Sequence, residues 1–151
     1  MGSLVQDIKS WIKRLSEPRP EFNGLPACPF SEMAKFHAVS EESIDRLEKR
    51  LLAYSSKKLL LIVNLPLGLA NEVQAEVRRI NWRLNEKGFI ALVSDPRKPI
   101  VIRGFRTTQH DRLFVILQPL KELNEGAEKI RKHGYYDNWD KETLARVMEG
   151  R

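Results

Sequence analysis

Apolar residues recur at the three- and four-residue spacing of an amphipathic helix along much of the chain. Ser3 and Gln6 form a capping box in front of the first apolar stripe, which predicts a helix over 3–15. Ser40 is the predicted N-terminal cap of a second helix. The buried positions of that helix are expected to be Ile44, Leu47, Leu51 and Tyr54.

Three further helices are predicted in the second half of the chain. The first covers 69–87 and ends at Gly88, which is suited to a left-handed C-terminal stop. Its buried stripe is Val73, Val77, Ile80 and Leu84. Pro119 opens the next helix, Gly134 stops it, and a short last helix covers 141–148.

Short aliphatic runs between these helices predict strands. The runs are 35–39, 59–63, 89–93, 100–105 and 113–117. They are too short for surface helices, and those over 59–63 and 113–117 fit strands that are buried on both faces. The alternation predicts a single α/β domain over 1–151: a two-layer α/β sandwich of the α+β type, with a ferredoxin-like arrangement as one option. The N-terminal amphipathic helix 3–15 and the proline-rich loop 16–31 are expected to pack on it.

Composition indicates a soluble globular protein. Hydrophobic residues make up 42% of the 151 residues and charged residues 30%, far from the composition of disordered chains. One cysteine cannot form an intramolecular disulfide, and no leader pattern precedes the first helix, so we expect a cytoplasmic location. The longest aliphatic run has five residues, 59–63, which predicts that no segment spans a membrane.

The net charge of +6 comes from residues 78–112, where nine basic residues face three acidic ones, and nine minus three is six. Such a stretch favours a local anion-binding surface over a uniformly basic protein. On the helix 69–87 the acids lie in the early turns and the bases in the late turns, which is typical of a solvated helix that makes its own ion pairs. The alternative is an interaction protein that docks nucleic acid or an acidic protein partner on 78–112, with Trp82 stacking on a base.

Cys28 lies in a rigid, irregular loop between Pro26 and Pro29. Three interpretations of its thiol are open. It is a small apolar plug in the core, a catalytic or redox-active thiolate, which requires a nearby cation or histidine, or a group that contacts a ligand without reacting. His37 and His110 are the histidines considered for that role.

The connection 103–111 is the strongest candidate for a ligand site. Arg103 and Arg106 match the oxygens of carboxylate or phosphate, and the hydroxyls of Thr107 and Thr108 add neutral donors. The alternative is a polar loop tied together by its own side chains. The sequence contains no glycine-rich phosphate loop, and its cysteine and histidines lack metal-ligand spacing.

We therefore expect a small anionic ligand between the Cys28 loop and the 103–111 loop. Arg103 and Arg106 would hold its charge, Thr107 and Thr108 would orient it, and His37 is counted among the binding residues. His110 would move protons or polarise Cys28 if the protein is a thiol-dependent enzyme. The sequence predicts no metal, and it identifies neither a cofactor nor an oligomeric state.

A second cluster lies near the C-terminus. Residues 135–140 are aromatic and acidic, and they either cap a pocket or pack the last helix, with Asn138 or Asp140 as its cap.

The order of features from Trp11 to Arg131 resembles an uncharacterised bacterial family with an Asn-Leu-Cys-Pro-Phe-Ala motif and an Asn-Arg-Ser-Pro-Tyr-Pro segment. Cys28-Pro29-Phe30 matches the first motif letter for letter, and Arg106-Thr107 approximates part of the second. The family's histidine-containing segment corresponds here to Ser94-Asp95-Pro96, which has no histidine. The resemblance implies an α/β domain that couples the Cys28 loop to the Arg106 loop.

Overall fold

The computed structural model describes residues 3–28, 35–55, 60–108, 110–149 and 151. The helices in this part of the chain are α1 Leu4–Leu15, α2 Leu47–Tyr54, α3 Ala70–Glu86, α4 Leu120–Arg131 and α5 Lys141–Met148. The strands are β1 Phe36–Ser40, β2 Leu60–Leu65, β3 Phe89–Ser94, β4 Val101–Ile102, β5 Phe105–Arg106 and β6 Leu113–Pro119. Pro29, Phe30, Leu59 and Gln109, on which parts of the predictions fall, lie outside the described residues.

Four strands form one mixed sheet in the order β1-β2-β6-β3. β1 is parallel to β2, as the helical crossover α2 between them requires, whereas β6 is antiparallel to both of its neighbours. β4 and β5 form a separate two-stranded ribbon. The α+β class is confirmed. The ferredoxin-like option is not adopted, because that fold has the chain order βαββαβ and this chain runs βαβαβ before the ribbon.

Helices cover both faces of the sheet. Successive side chains of a strand point to opposite faces, so Leu61 and Val63 of β2 pack with α2 and α3 in one core. Ile62 and Phe114 lie in a second core with α1, and Ile130 of α4 joins them there. The predicted sandwich therefore has a third layer. The third layer is needed because central strands with a continuous aliphatic sequence must be covered on both faces.

The N-terminal helix and the loop after it pack as expected. The Ser3 hydroxyl oxygen accepts from the Gln6 amide at 3.1 Å, which completes the predicted capping box. Phe22 of the loop is fully buried, and its ring stacks on Tyr135 with 5.0 Å between centroids. The Tyr135 hydroxyl donates to the Ala27 carbonyl, so the loop is held between α1 and the chain after α4.

Two local predictions are corrected. Ser40 does not cap α2; it is the last residue of β1, where it pairs with Asn64, and the helix begins only at Leu47. The run 100–105 is not continuously extended. Arg103 and Gly104 both have positive φ, +48° and +82°, which gives the two-residue turn that reverses the chain between β4 and β5.

Gly134 and Gly88 form a matched pair for testing how the loop is held. Both have positive φ, +78° and +82°, so alanine costs about 1–2 kcal/mol of backbone strain at either position. A Cβ at Gly134 would also lie 2.7 Å from Asn23 Nδ2, which donates to the Gly134 carbonyl at 2.5 Å, whereas Gly88 has open space.

Gly134→Ala is therefore expected to lower the free energy of unfolding by about 1 kcal/mol more than Gly88→Ala, as measured by urea denaturation. Equal losses in the two variants would show that the contact between Asn23 and Gly134 contributes nothing.

Candidate functional site

The two loops that the sequence predicts to form the site meet through apolar side chains. The ring of Phe22 lies 6.1 Å from that of Phe105, centroid to centroid, and the guanidinium carbon of Arg19 lies 4.1 Å from the Phe105 centroid. This contact couples the proline-rich loop to the β4–β5 ribbon. The groups in this contact are two aromatic rings and the Arg19 guanidinium. Arg19 is the one group among them that could bind an anion, and it is paired with Glu21 at 3.0 Å.

Both loops also bind α1, at successive turns. The Cys28 amide donates to the Leu15 carbonyl at 3.0 Å, and the Trp11 indole donates to the Thr107 carbonyl at 3.0 Å. Residues four apart lie one turn apart on the same helix face. Cys28 and the polar residues of the 103–111 loop are therefore placed beside different turns of α1.

Cys28 is half-buried and lines a cavity of about 250 Å³. The walls come from α1, β2, β6, α4 and the C-terminal segment, and most of the lining side chains are apolar or aromatic. Among the described lining residues Arg151 is the one charged group, and polar atoms also come from Gln118, Tyr135, Tyr136, the indole N–H groups of Trp11 and Trp139, and the Cys28 thiol. The thiol therefore faces an apolar space with one cation at its wall.

Burial governs the titration of the polar groups around this cavity. It raises the pKa of Tyr135, whose hydroxyl is directed at the Ala27 carbonyl, and it raises the pKa of Tyr136. Burial also lowers the pKa of Arg151, while a hydrogen bond with Tyr136 acts in the opposite direction. No aspartate or glutamate side chain of the described residues forms an ion pair with the Arg151 guanidinium within 4.0 Å.

The polar side chains of the 103–111 loop are used within the loop. Arg106 donates to the Thr108 carbonyl at 2.7 Å and to the Pro96 carbonyl at 2.6 Å. The Thr107 hydroxyl donates to the Ile100 carbonyl at 3.0 Å, and the buried Thr108 hydroxyl oxygen accepts from the Ile100 amide at 3.4 Å. These contacts match the alternative interpretation, a loop tied together by its own side chains.

Arg103 is set apart from these groups. It occupies the exposed turn between β4 and β5, where its positive φ points to a role in chain reversal. It does not line the Cys28 cavity in the described structure.

His110 packs between two aromatic rings. Its ring centroid lies 4.4 Å from that of Trp11 and 4.5 Å from that of Phe114, and Nε2 lies 2.8 Å from the Ser94 hydroxyl oxygen. His110 therefore joins α1 to the carboxyl end of β3. It is not among the described residues that line the Cys28 cavity.

Burial lowers the pKa of His110 to about 4. The backbone of Arg112 and the charge of Asp111 oppose this shift, whereas Arg106 and Arg14 add to it. The imidazole is therefore neutral at pH 7.

His37 lies on the other side of the sheet. Its exposed ring stacks on Tyr54 of α2 with 5.4 Å between centroids, whereas Cys28 belongs to the core beneath α1. The structure does not bring His37 together with Cys28, His110 or the 103–111 loop.

Several basic side chains of the stretch 78–112 form ion pairs with acidic side chains. Arg79 pairs with Glu48 at 2.6 Å and with Glu76, Arg83 pairs with Glu48 at 2.8 Å, and these contacts lower the pKa of Glu48. Weaker or more distant pairs are Arg78–Glu149 and Arg97–Asp95 at 3.4 Å, and Arg112–Asp7 at 2.9 Å joins the stretch to α1. The helix-pairing interpretation of α3 is thus supported, with Glu48 of α2 as a partner that the pattern of α3 alone could not reveal.

Sequence reasoning missed Arg151 and Gln118, since neither belongs to a motif. The aromatic and acidic composition of residues 135–140 does indicate a role, and the segment both borders a pocket and caps the last helix. Tyr135, Tyr136 and Trp139 line the cavity, and Asp140 caps α5 by accepting from the Thr143 amide at 2.7 Å.

The depressed pKa of His110 predicts a specific dependence of stability on pH. In the unfolded state His110 has a pKa near 6.5, so it takes up a proton at a higher pH than in the folded state. Its contribution to stability is therefore complete above pH 6.5 and is lost as the pH falls toward 4. The loss is about 1–2 kcal/mol after allowance for the part of the ring that water reaches.

Urea denaturation between pH 4 and 7.5 gives the free energy of unfolding of the protein and of His110→Gln. The variant is expected to lack the part of the pH dependence that comes from His110. His37→Gln is the matched control, because His37 is exposed, and it is expected to retain the original pH profile. Parallel profiles for the protein and His110→Gln would contradict a buried, neutral His110.

Comparison of the chain with protein-family models, with curated proteins and with solved structures gives no match. The resemblance carried by Cys28-Pro29-Phe30 therefore stays a prediction. No helix in the described part of the chain is long and apolar enough to cross a membrane. The same residues hold no group of three histidine, cysteine, aspartate or glutamate side chains arranged for a metal ion.

Proposed function

We propose that the protein binds a small molecule with an apolar body and one anionic group in the Cys28 cavity. The observation that carries this proposal is the Arg151 guanidinium, which is partly buried at a largely apolar cavity and has no aspartate or glutamate partner in the described part of the chain. Taking a cation out of water is unfavourable unless a counter-charge accompanies it. A ligand anion would supply that counter-charge.

The size and walls of the cavity favour a planar body. A cavity of about 150 Å³ lined by aliphatic and aromatic side chains holds benzene, so about 250 Å³ has room for a ring with a short acidic substituent. Trp11, Tyr136 and Trp139 offer aromatic faces and edges to such a ring. A carboxylate matches the two-pronged geometry of a guanidinium, and the Tyr136 hydroxyl beside Arg151 is a further donor.

Cys28 would contact the bound molecule. Its thiol and the Arg151 guanidinium line the same cavity, so both would lie against that molecule. We place this activity in the cytoplasm, because a lone thiol persists in a reducing compartment.

Matched probes test the role of charge. Phenylacetate is expected to bind, and phenylacetamide, which has the same shape and no charge, is expected to bind about tenfold more weakly by isothermal titration calorimetry. Arg151→Gln is expected to remove this preference. Arg103→Gln is the control and should leave it intact, since Arg103 is exposed in the β4–β5 turn.

An unchanged preference in Arg151→Gln, or a loss of preference in Arg103→Gln, would place the anion elsewhere. The absence of saturable phenylacetate binding would reject the proposal.

Cys28 provides an independent measure of occupancy. It is the only cysteine, so its alkylation by iodoacetamide has one possible site. Saturating phenylacetate is expected to slow that reaction at least about fivefold, because the ligand would occupy the space that the thiol lines. Arg151→Gln should show no protection at the same phenylacetate concentration. A rate that phenylacetate leaves unchanged in the unmodified protein would mean that the ligand lies outside the cavity.

A further inference from the structure

Helix α3 has three different faces, and one of them lines a second cavity. Its apolar stripe is buried in the core, and Arg79 and Arg83 pair with Glu48 on another face. The third face follows the same helical spacing. It consists of Gln74, Arg78, Asn81, Trp82 and Asn85.

This third face forms one wall of a groove of about 750 Å³. β3 and Ile100 contribute to its apolar floor, and α5 forms the opposite wall. The volume lies within the range of about 300–1,000 Å³ that is common for small-molecule sites. The groove is therefore large enough for a compact ligand.

The floor of the groove is poorly suited to pairing with an added peptide strand. β3 is an edge strand, but the Asn81 side chain satisfies its backbone at Ala91, the third of its six residues. Asn81 Nδ2 donates to the Ala91 carbonyl at 3.0 Å, and the Ala91 amide donates to Asn81 Oδ1 at 2.8 Å. A strand that approached this edge would have to displace both hydrogen bonds.

Trp82 offers a free aromatic face at the rim. Its side chain is 58% exposed, and none of the ring-to-ring contacts of the described residues includes it. The Arg83 guanidinium carbon lies 5.6 Å from the ring centroid. An exposed tryptophan beside a cation is a stacking platform for an electron-rich planar ring.

The charges in the groove complement an anion. Its two acidic residues are already neutralised, since Glu149 pairs with Arg78 and the buried Asp95 pairs with Arg97, both at 3.4 Å. Arg146 and Lys98 line the same space without a carboxylate partner in the described part of the chain.

Arg146 and Lys98 are held next to each other. Arg146 donates to the Lys98 carbonyl at 2.6 Å, which places the Arg146 guanidinium beside the backbone of Lys98, and both residues line the groove. The groove thus combines a stacking face, an apolar floor and a cationic end.

We infer that this groove binds a free nucleotide, with the base against Trp82 and the phosphate held by Lys98 and Arg146. A single-stranded nucleic acid offers the same chemistry, but it needs a cationic track that continues past one stacking site. The neighbouring basic residues of α3, Arg79 and Arg83, form ion pairs with Glu48 and so do not extend the cationic surface. This favours a ligand confined to the groove.

Titration of the full chain with AMP, monitored by calorimetry, tests this inference. AMP is expected to bind, and adenosine, which lacks the phosphate, is expected to bind about tenfold more weakly. Trp82→Ala and Lys98→Gln are each expected to weaken AMP about tenfold. Arg79→Gln is the control and should change the affinity less than about twofold, since Arg79 is on the ion-paired face.

Three outcomes would overturn the inference: no saturable AMP binding, unchanged affinity in Trp82→Ala, or inorganic phosphate competing as well as AMP. Tighter binding of a ten-residue oligothymidylate than of AMP, with a steep salt dependence, would also overturn it and assign the surface to single strands.

This test is independent of the Cys28 cavity. Arg151 lines both the cavity and the groove, and none of the variants in this test changes it. Trp82 and Lys98 line the groove and do not line the Cys28 cavity. Trp82→Ala is expected to keep its phenylacetate affinity, so failure of one binding activity leaves the other measurable.

Discussion

The two-sided apolar character of β2 and β6 is the constraint on which the rest of the structure depends. Each buried Leu, Ile or Val side chain contributes about 1.5–3 kcal/mol, and these strands carry such residues on both faces. One helical layer cannot cover them. α2 and α3 close one face with a continuous aliphatic core, whereas α1, α4, the proline-rich loop and an aromatic segment close the other. The cavity beside Cys28 lies on this second face, where an irregular loop and an aromatic segment pack beside the two helices.

α1 organises that second face. Its Leu15 carbonyl binds the Cys28 amide, and its Trp11 binds the Thr107 carbonyl and packs on His110. One amphipathic helix thus fixes the positions of both loops that the sequence predicts to form a ligand site. The loops differ in how their side chains are placed: Arg106, Thr107 and Thr108 bind backbone carbonyls and amides, while Cys28 lines the cavity.

Much of the fold can be predicted from local signals. The capping box at Ser3, the left-handed glycines and the bounds of α5 need only nearby residues to be correct. Predictions fail where distant partners decide. Ser40 is drawn into β1 by pairing with Asn64, 24 residues away, although it has the chemistry of a helix cap. His37 lies on the face opposite Cys28 for a similar reason, because strand register sets which face a residue occupies.

The arginines show why the candidate sites were harder to predict than the fold. Counting charges treats them as equivalent, yet Arg79 is bound by two carboxylates, Arg106 by two backbone carbonyls, and Arg151 by neither kind of acceptor in the described structure. What an arginine can offer a ligand depends on which acceptors the fold places around it. Glu48 reaches Arg79 and Arg83 from another helix, so the densest run of basic residues is the one most fully neutralised. The number of basic residues in a stretch therefore does not show which of its arginines lack an acidic partner after folding.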